Sequence, residues 1–375
     1  MPYRFDQIID RSQSHSTKWE KYAGRDILPF WVADMDFAAP EFILEPLRER
    51  LEHPMLGYTE RPASLSEAFR SWLAHHFRWQ VPTEWLVWLP GVVPGINMAV
   101  RTLAADSRLL IPTPIYYPFL GLAENAGLDH RLVPLQLSDG VWKMDMDAMA
   151  QAVDARVRMV CIANPQNPTG RVYSLKELEA LAEFIERHDL ILVSDEIHCS
   201  LVLDPKVQHL PIASAVPDIA ERTISLFAAT KTYNIPALGC AVAVIPNAEL
   251  RKRFIGTRAD LVASPGPLAY IASEAAFNDR SSWVPELIVQ LRKNLAELRQ
   301  VAGHRMSHLE ATYLAWLDIR DLQLNDVSGH FESHGLGLSN GAQFGCEGFV
   351  RFNFAAPPDL LAQGLERLSR ALEKK

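Results

Sequence analysis

Cysteine is scarce: there are four in 375 residues, Cys161, Cys199, Cys240 and Cys346, far apart and with no C-x-x-C pair. That excludes a zinc ribbon and a disulfide scaffold and suits a reduced, cytoplasmic protein. No apolar run approaches the roughly 20 residues needed to span a bilayer. No apolar signal segment follows Met1-Pro2-Tyr3-Arg4-Phe5-Asp6, so neither secretion nor membrane insertion is expected. Positive charge is in the minority, 37 Lys and Arg against 45 Asp and Glu, for a formal net charge of −8. That balance argues against nucleic acid or an anionic membrane as partner. Repeats, low-complexity tracts and charge blocks are absent. What is there is ordinary globular composition, 48% apolar and 22% charged.

The stretch through Pro40 is aromatic and turn-rich, with Phe30-Trp31-Val32-Ala33-Asp34-Met35-Asp36-Phe37 at its centre. It reads as an arm (1–40) packing on a smaller domain. From 41 to 280, short apolar runs alternate with helical patterns. Leu109–Ile111, Val157–Ile162, Leu190–Val193, Ile224–Phe227 and Ala241–Ile245 are too short for helices and lack polar alternation. Such runs suit strands buried on both faces of a mainly parallel sheet. Ser174-Leu175-Lys176-Glu177 is a capping box that opens a helix through about His188. The expected class is α/β, a large domain of helices on both faces of a mainly parallel sheet. After Ser281 the pattern changes to a long helix (about Val284 to Val301), strand candidates Thr312–Ile319 and Phe349–Phe354, and a helix after Pro357-Pro358. That predicts a smaller α+β domain over 281–375.

Ligands of α/β sheets collect beyond the carboxyl ends of strands. There the sequence places Asn164-Pro165-Gln166-Asn167-Pro168-Thr169-Gly170, then Ser194-Asp195-Glu196-Ile197-His198, then Ala228-Ala229-Thr230-Lys231-Thr232. The first is a rigid turn able to hold an Asn amide in a fixed pose; alone, it is only a tight loop. The second sets an acid after a buried strand, costly without a cation. Lys231 alone could be just the counter-ion of Asp195. Together, Asn167, Asp195 and Lys231 can hold pyridoxal 5′-phosphate (PLP). The Lys amine would form the Schiff base, and the carboxylate would keep the pyridine nitrogen protonated so that the ring acts as an electron sink. The Asn amide would donate to the phenolate oxygen.

On these residues the chain resembles class I/II aminotransferase-like PLP enzymes of fold type I, over its whole length. The match is narrower with the cystathionine β-lyase (C–S lyase) subgroup. It is carried by Trp31-Val32-Ala33-Asp34-Met35-Asp36-Phe37, His53-Pro54 with Gly57-Tyr58, Gly91-Val92-Val93-Pro94-Gly95, Thr113-Pro114-Ile115-Tyr116-Tyr117-Pro118-Phe119, Asp195-Glu196-Ile197-His198 and Lys231-Thr232-Tyr233-Asn234-Ile235-Pro236. The resemblance implies that Val92 and Val93 amides, at a helix start, bind the PLP phosphate, and that Tyr116 stacks on the ring. It implies that Tyr58 reaches the phosphate of a neighbouring subunit in a homodimer with shared sites. His198 lies where aminotransferases have a Tyr near the phenolate oxygen, or is a structural His. Arg351 matches the arginine that clamps the substrate carboxylate, a contact natural to a guanidinium.

Many relatives carry Arg or Lys eight positions after the Schiff-base Lys; here that position is Gly239, and Ala228 replaces a common Ser. Thr230 can still donate a hydroxyl, so the phosphate leans on amides, Thr230 and Tyr58, and looser PLP binding is expected. The subgroup match favours β-elimination from cystathionine or another cysteine S-conjugate, giving a thiol, pyruvate and ammonia. An aminotransferase is the alternative, and a regulatory protein that kept the fold is a further one. A metal hydrolase would rest on His304/His308 or His330/His334, but neither pair has Glu after the first His, and no metal site is expected.

Overall fold

A computed structural model describes residues 3–373, so the two outermost residues of the expected arm and of the expected small domain lie outside it. The first strands are β1 (Leu28–Pro29), β2 (Leu86–Leu89), β3 (Arg108–Thr113), β4 (Asp129–Pro134), β5 (Gln136–Ser138), β6 (Val141–Lys143) and β7 (Val157–Ala163). They are followed by β8 (Ile191–Asp195), β9 (Thr223–Phe227), β10 (Ala241–Val244), β11 (Leu314–Asp318), β12 (Leu336–Gly337), β13 (Ser339–Asn340) and β14 (Phe349–Asn353).

Seven of them form the central sheet in the order β2-β10-β9-β8-β7-β3-β4. The apolar runs become its strands because both faces are covered. Every residue of β3 and of β9 is buried, and helices pack from both sides, as a mainly parallel sheet demands. The strands run parallel except β10, which is antiparallel to β2 and to β9. The apolar content of Ala241–Val244 did not announce that reversal. The segment joining β9 to β10 contains no helix, and a parallel return needs a crossover element. That helix-free segment is where Lys231 lies.

The capping box forms as expected. Ser174 accepts from the Glu177 N–H, and Glu177 accepts in return from the Ser174 N–H, opening the helix Leu175–Arg187. The helix Val92–Val100 lies so close to the sheet that a Cβ on Gly95 would sit 2.9 Å from side-chain atoms of Leu89 and Leu226. The missing side chain thus permits an approach that brings the start of this helix to the strand ends. A second, antiparallel sheet has the order β11-β14-β13, beside the helices Trp283–Ala302 and Pro358–Ala371. The N-terminal segment joins this half through the parallel pairing of β1 with β12 and through Phe5 against Trp283, ring centroids 5.7 Å apart. Among the described residues no helix is long and apolar enough to cross a membrane.

Candidate active site

Because β2, β3, β7, β8 and β9 point the same way, their carboxyl ends open on one edge of the sheet. The antiparallel β10 brings its amino end, preceded by Gly239 and Cys240, to the same edge. The last residues of these five strands and the connections that leave them carry Val92 and Val93, Tyr116, Asn167, Asp195 and His198, and Thr230 and Lys231. All eight line one cavity of about 180 Å³. A second cavity of about 550 Å³ adjoins it, sharing Ala33, Tyr116 and Lys231 and adding Trp31, Tyr117, Ser339, Gln343 and Arg351. A larger hollow of about 700 Å³ lies between the helices Ala63–Phe77 and Trp283–Ala302 and contains none of these residues. Chemistry, not size, marks the site.

Asp195 is buried, and its Oδ1 accepts the Ile197 N–H at 3.0 Å. Burial pushes its carboxyl up to about 7, Glu196 adds to this, and the Ile197 N–H and Lys231 oppose it. A carboxylate so placed calls for a cation. The protonated nitrogen of a pyridine ring is one that would restore full ionisation. Glu196, next in the chain, is turned away: its Oε1 accepts from Ser194 Oγ at 2.7 Å, and His209 Nε2 lies 2.6 Å from its Oε2.

Burial, and then Arg351, pull the Lys231 amine down to about 8, while Asp34 and Asp195 pull the other way. Its Nζ donates to the Ala33 carbonyl at 2.7 Å. Burial, followed by Lys231 and Arg351, holds His198 down at about 3, so it is a neutral imidazole, and its Nδ1 has no hydrogen-bond partner among the described residues. Its ring stands edge-on to Tyr313, with centroids 6.1 Å apart.

Arg351 sits in the middle of β14 and is 3% exposed. Its Nη1 donates to Asn167 Oδ1 at 2.9 Å and its Nη2 to the Trp31 carbonyl at 2.8 Å, over the ring of Phe344. Burial lowers its guanidinium to about 10, still charged at neutral pH. With Asn167 Oδ1 committed to Arg351, the amide NH₂ is the end left to face the cavity. The Arg351 guanidinium and the Asn167 amide are therefore mechanically joined.

The turn that carries Asn167 is anchored from behind. Arg171 donates to both oxygens of Glu310 and of Glu177, each at 2.8 Å, and its Nε donates to the Trp142 carbonyl at 3.0 Å. Replacing Arg171 with Met is expected to destabilise the fold by about 3–5 kcal/mol, because it strands a buried carboxylate. Thermal unfolding measures this; an unchanged Tm would contradict it.

The helix Val92–Val100 has no side-chain cap at Gly91. Pro94 lacks an N–H, so the Val92 and Val93 amides are the free donors of its first turn, a setting suited to phosphate. Among the described residues of this cavity, Lys231 is the one cation. Gly239 explains why none follows: a Cβ there would lie 2.3 Å from the Pro90 carbonyl oxygen. Gly239→Arg is therefore expected to weaken PLP binding despite its charge, through about 1–3 kcal/mol of overpacking strain. A fluorescence titration giving tighter binding would contradict this.

Tyr58 lies outside both cavities, in a fully exposed loop, with 111% relative exposure. His304 falls in the turn Gly303–Arg305 and His308 beyond it, so their spacing is not helical. The His330 and His334 rings lie 4.7 Å apart, with a nitrogen of each at a backbone carbonyl. Sequence reasoning did not single out Tyr313, Asn234 or Asn353. Asn353 had a signal like that of Arg351, a polar residue inside an apolar strand.

The donor set fits PLP: an anion site of backbone amides, a buried acid for the ring nitrogen, an amide for the phenolate oxygen, an aromatic wall and an amine. The family model for class I and II aminotransferases matches residues 26–368. Cystathionine beta-lyase PatB of Bacillus subtilis (strain 168) is 33% identical, over 98% of this chain and 99% of that protein. The crystal structure of OvoB superposes with a TM-score of 0.96 at 43% identity, over 99% of each chain. That of cystalysin from Treponema denticola, which contains a pyridoxal 5′-phosphate cofactor, superposes with a TM-score of 0.93 at 30% identity over 99% of each chain.

Proposed function

The chain belongs to the class I and II aminotransferase family, and from that premise we propose a PLP-dependent carbon–sulfur β-lyase acting on L-cystathionine or a related cysteine S-conjugate. The reaction is R–S–CH₂–CH(NH₂)–COOH plus water to R–SH, pyruvate and ammonia. Bound PLP supplies a sink for the electrons left when the Cα–H bond breaks.

The chain supplies the rest. Arg351 holds the substrate carboxylate by its planar fork. Lys231 takes the Cα proton at Nζ and returns a proton to the departing sulfur. With PLP bound, Asp195 would keep the ring nitrogen protonated, Asn167 would donate to the phenolate oxygen, and Tyr116 would be its aromatic wall. His198, a neutral imidazole, would lie near that oxygen. The Val92 and Val93 amides and the Thr230 hydroxyl would hold the phosphate, joined by Tyr58 of a second copy. A homodimer with shared sites gives the exposed Tyr58 loop that role. Part of the same reading are an arm (1–40), a large PLP-binding domain (41–280), a small domain (281–375) and a cytoplasmic location.

The observation that carries the choice of substrate is the outer cavity. Apart from Lys231, Arg351 is its one cation among the described residues, and the remaining walls are aromatic or neutral. One carboxylate is provided for, and a second without its own counter-charge is not; that disfavours the bare side-chain carboxylate of a dicarboxylic aminotransferase substrate, whereas the distal carboxylate of cystathionine carries an ammonium beside it. Incubation with L-cystathionine and no keto acid tests this: pyruvate and thiol in equal amounts support the lyase. Amino-group transfer that requires a keto acid would make the enzyme an aminotransferase.

A further inference from the structure

The segment from Trp31 to Phe37 has no regular secondary structure, yet nearly every backbone carbonyl in it is held by a side chain from elsewhere. The Trp31 carbonyl accepts from Arg351 Nη2 and from Ser339 Oγ, at 2.8 and 2.9 Å. Asn353 Nδ2 bridges the carbonyls of Val32 and Asp34, each at 2.6 Å. Asn234 Nδ2 donates to those of Met35 and Phe37 at 2.8 and 2.7 Å, while its Oδ1 accepts the Met35 N–H at 2.9 Å. Between these clamps, the Ala33 carbonyl faces the site and accepts from Lys231 Nζ at 2.7 Å and Tyr313 Oη at 3.0 Å.

Two placements make this more than a tie-down. Asn234 follows Lys231 by three residues, and Asn353 follows Arg351 by two on the same strand, so the strap is indexed to the base and to the carboxylate clamp together. Asn234 also adopts φ +55°, a left-handed conformation that costs a side-chain-bearing residue energy and is kept where the surroundings impose it.

We propose that Asn353 and Asn234 are positioning residues that fix the Ala33 carbonyl as the acceptor for the Lys231 amine, and so set the direction in which that amine presents its lone pair. A carbonyl oxygen can only accept. It takes one N–H of Lys231 and so keeps the lone pair off the strap side of the nitrogen, confining it to the two remaining tetrahedral positions. A displacement of about 1 Å at such a pair costs on the order of a hundredfold in rate. The proposal rests on Lys231 being the base.

The test is competitive trace labelling of Lys231 with acetic anhydride across pH in apoprotein, followed by peptide mass analysis, together with kcat and KM of the holoenzyme. The variants are Asn353→Ala and Asn234→Gly. Glycine accepts the positive φ without strain, so the second variant removes the amide while sparing the backbone. The titratable groups facing Lys231 are Asp34 of the strap, Asp195, His198 and Arg351; Asn234→Gly removes no hydrogen bond to any of them, whereas Asn353→Ala also releases the Asp34 carbonyl, so Asn234→Gly is the deciding variant. Losing the acceptor removes a hydrogen bond that favours the ammonium form, so the midpoint of labelling should fall by about half a pH unit or more below that of the parent. In the same variants kcat should drop about tenfold or more, with KM changed far less. Simple loosening would admit water and raise the midpoint toward the ordinary lysine value. A midpoint that is unchanged or raised in Asn234→Gly overturns the proposal. Lys231→Ala that still turned over would sink the base assignment instead, so the two failures are distinguishable.

Discussion

Replacing Lys231 with Ala is expected to cut β-elimination by about four orders of magnitude or more, with the fold intact. In the proposed mechanism one side chain performs two tasks, as covalent anchor and as base, and losses from such groups are not shared out among neighbours. Alanine removes an amine hydrogen-bonded to a single carbonyl, so stability should change little, and far-UV circular dichroism and Tm serve as the control. The parent has its own pH signature. An amine at about 8 is mostly ammonium at pH 7 and becomes nucleophilic as pH rises through 8. Capture of added PLP by the apoprotein should therefore quicken about tenfold per pH unit below 8 and level off above it. A plateau reached only near pH 10 would contradict this.

Asp195→Asn is expected to lower kcat by about two to three orders of magnitude, while leaving the fold unchanged and PLP affinity the less affected quantity. The substitution is isosteric, and the amide oxygen can still accept the Ile197 N–H. What is lost is the charge. Burial above all holds the carboxyl near 7; in the proposed site a positive ring nitrogen beside it would restore its ionisation, and that nitrogen would in turn depend on the carboxylate for its proton. An amide at this position favours the unprotonated ring, a poorer electron sink. Steady-state assays at saturating PLP measure this, and parental kcat in the Asp195→Asn enzyme would show that the ring nitrogen needs no counter-charge.

The central sheet was legible in the sequence because strands buried on both faces are written as unbroken apolar runs; β3, β7, β8, β9 and β10 each grow from one. The edge strands were not. β4 leaves four of its six residues exposed, and β2 is four residues long. The capping box at Ser174 and the two late helices were legible for the same local reasons. Eight expected site residues share one cavity, since strand ends in a parallel sheet converge by topology. The hydrogen bond from Arg351 to Asn167 and the bonds of Asn353 to the strap join residues 184 and about 320 positions apart, and no periodicity encodes such a meeting. Gly239 looked like a missing cation. Its contact with Pro90 shows a position where backbone approach leaves no room for a side chain.

Every role assigned in the site depends on the amine at position 231. Reduction of the PLP-saturated protein with borohydride, followed by peptide mass mapping, should place a phosphopyridoxyl adduct on the peptide containing Lys231. An adduct confined to other lysines, or none, would contradict it.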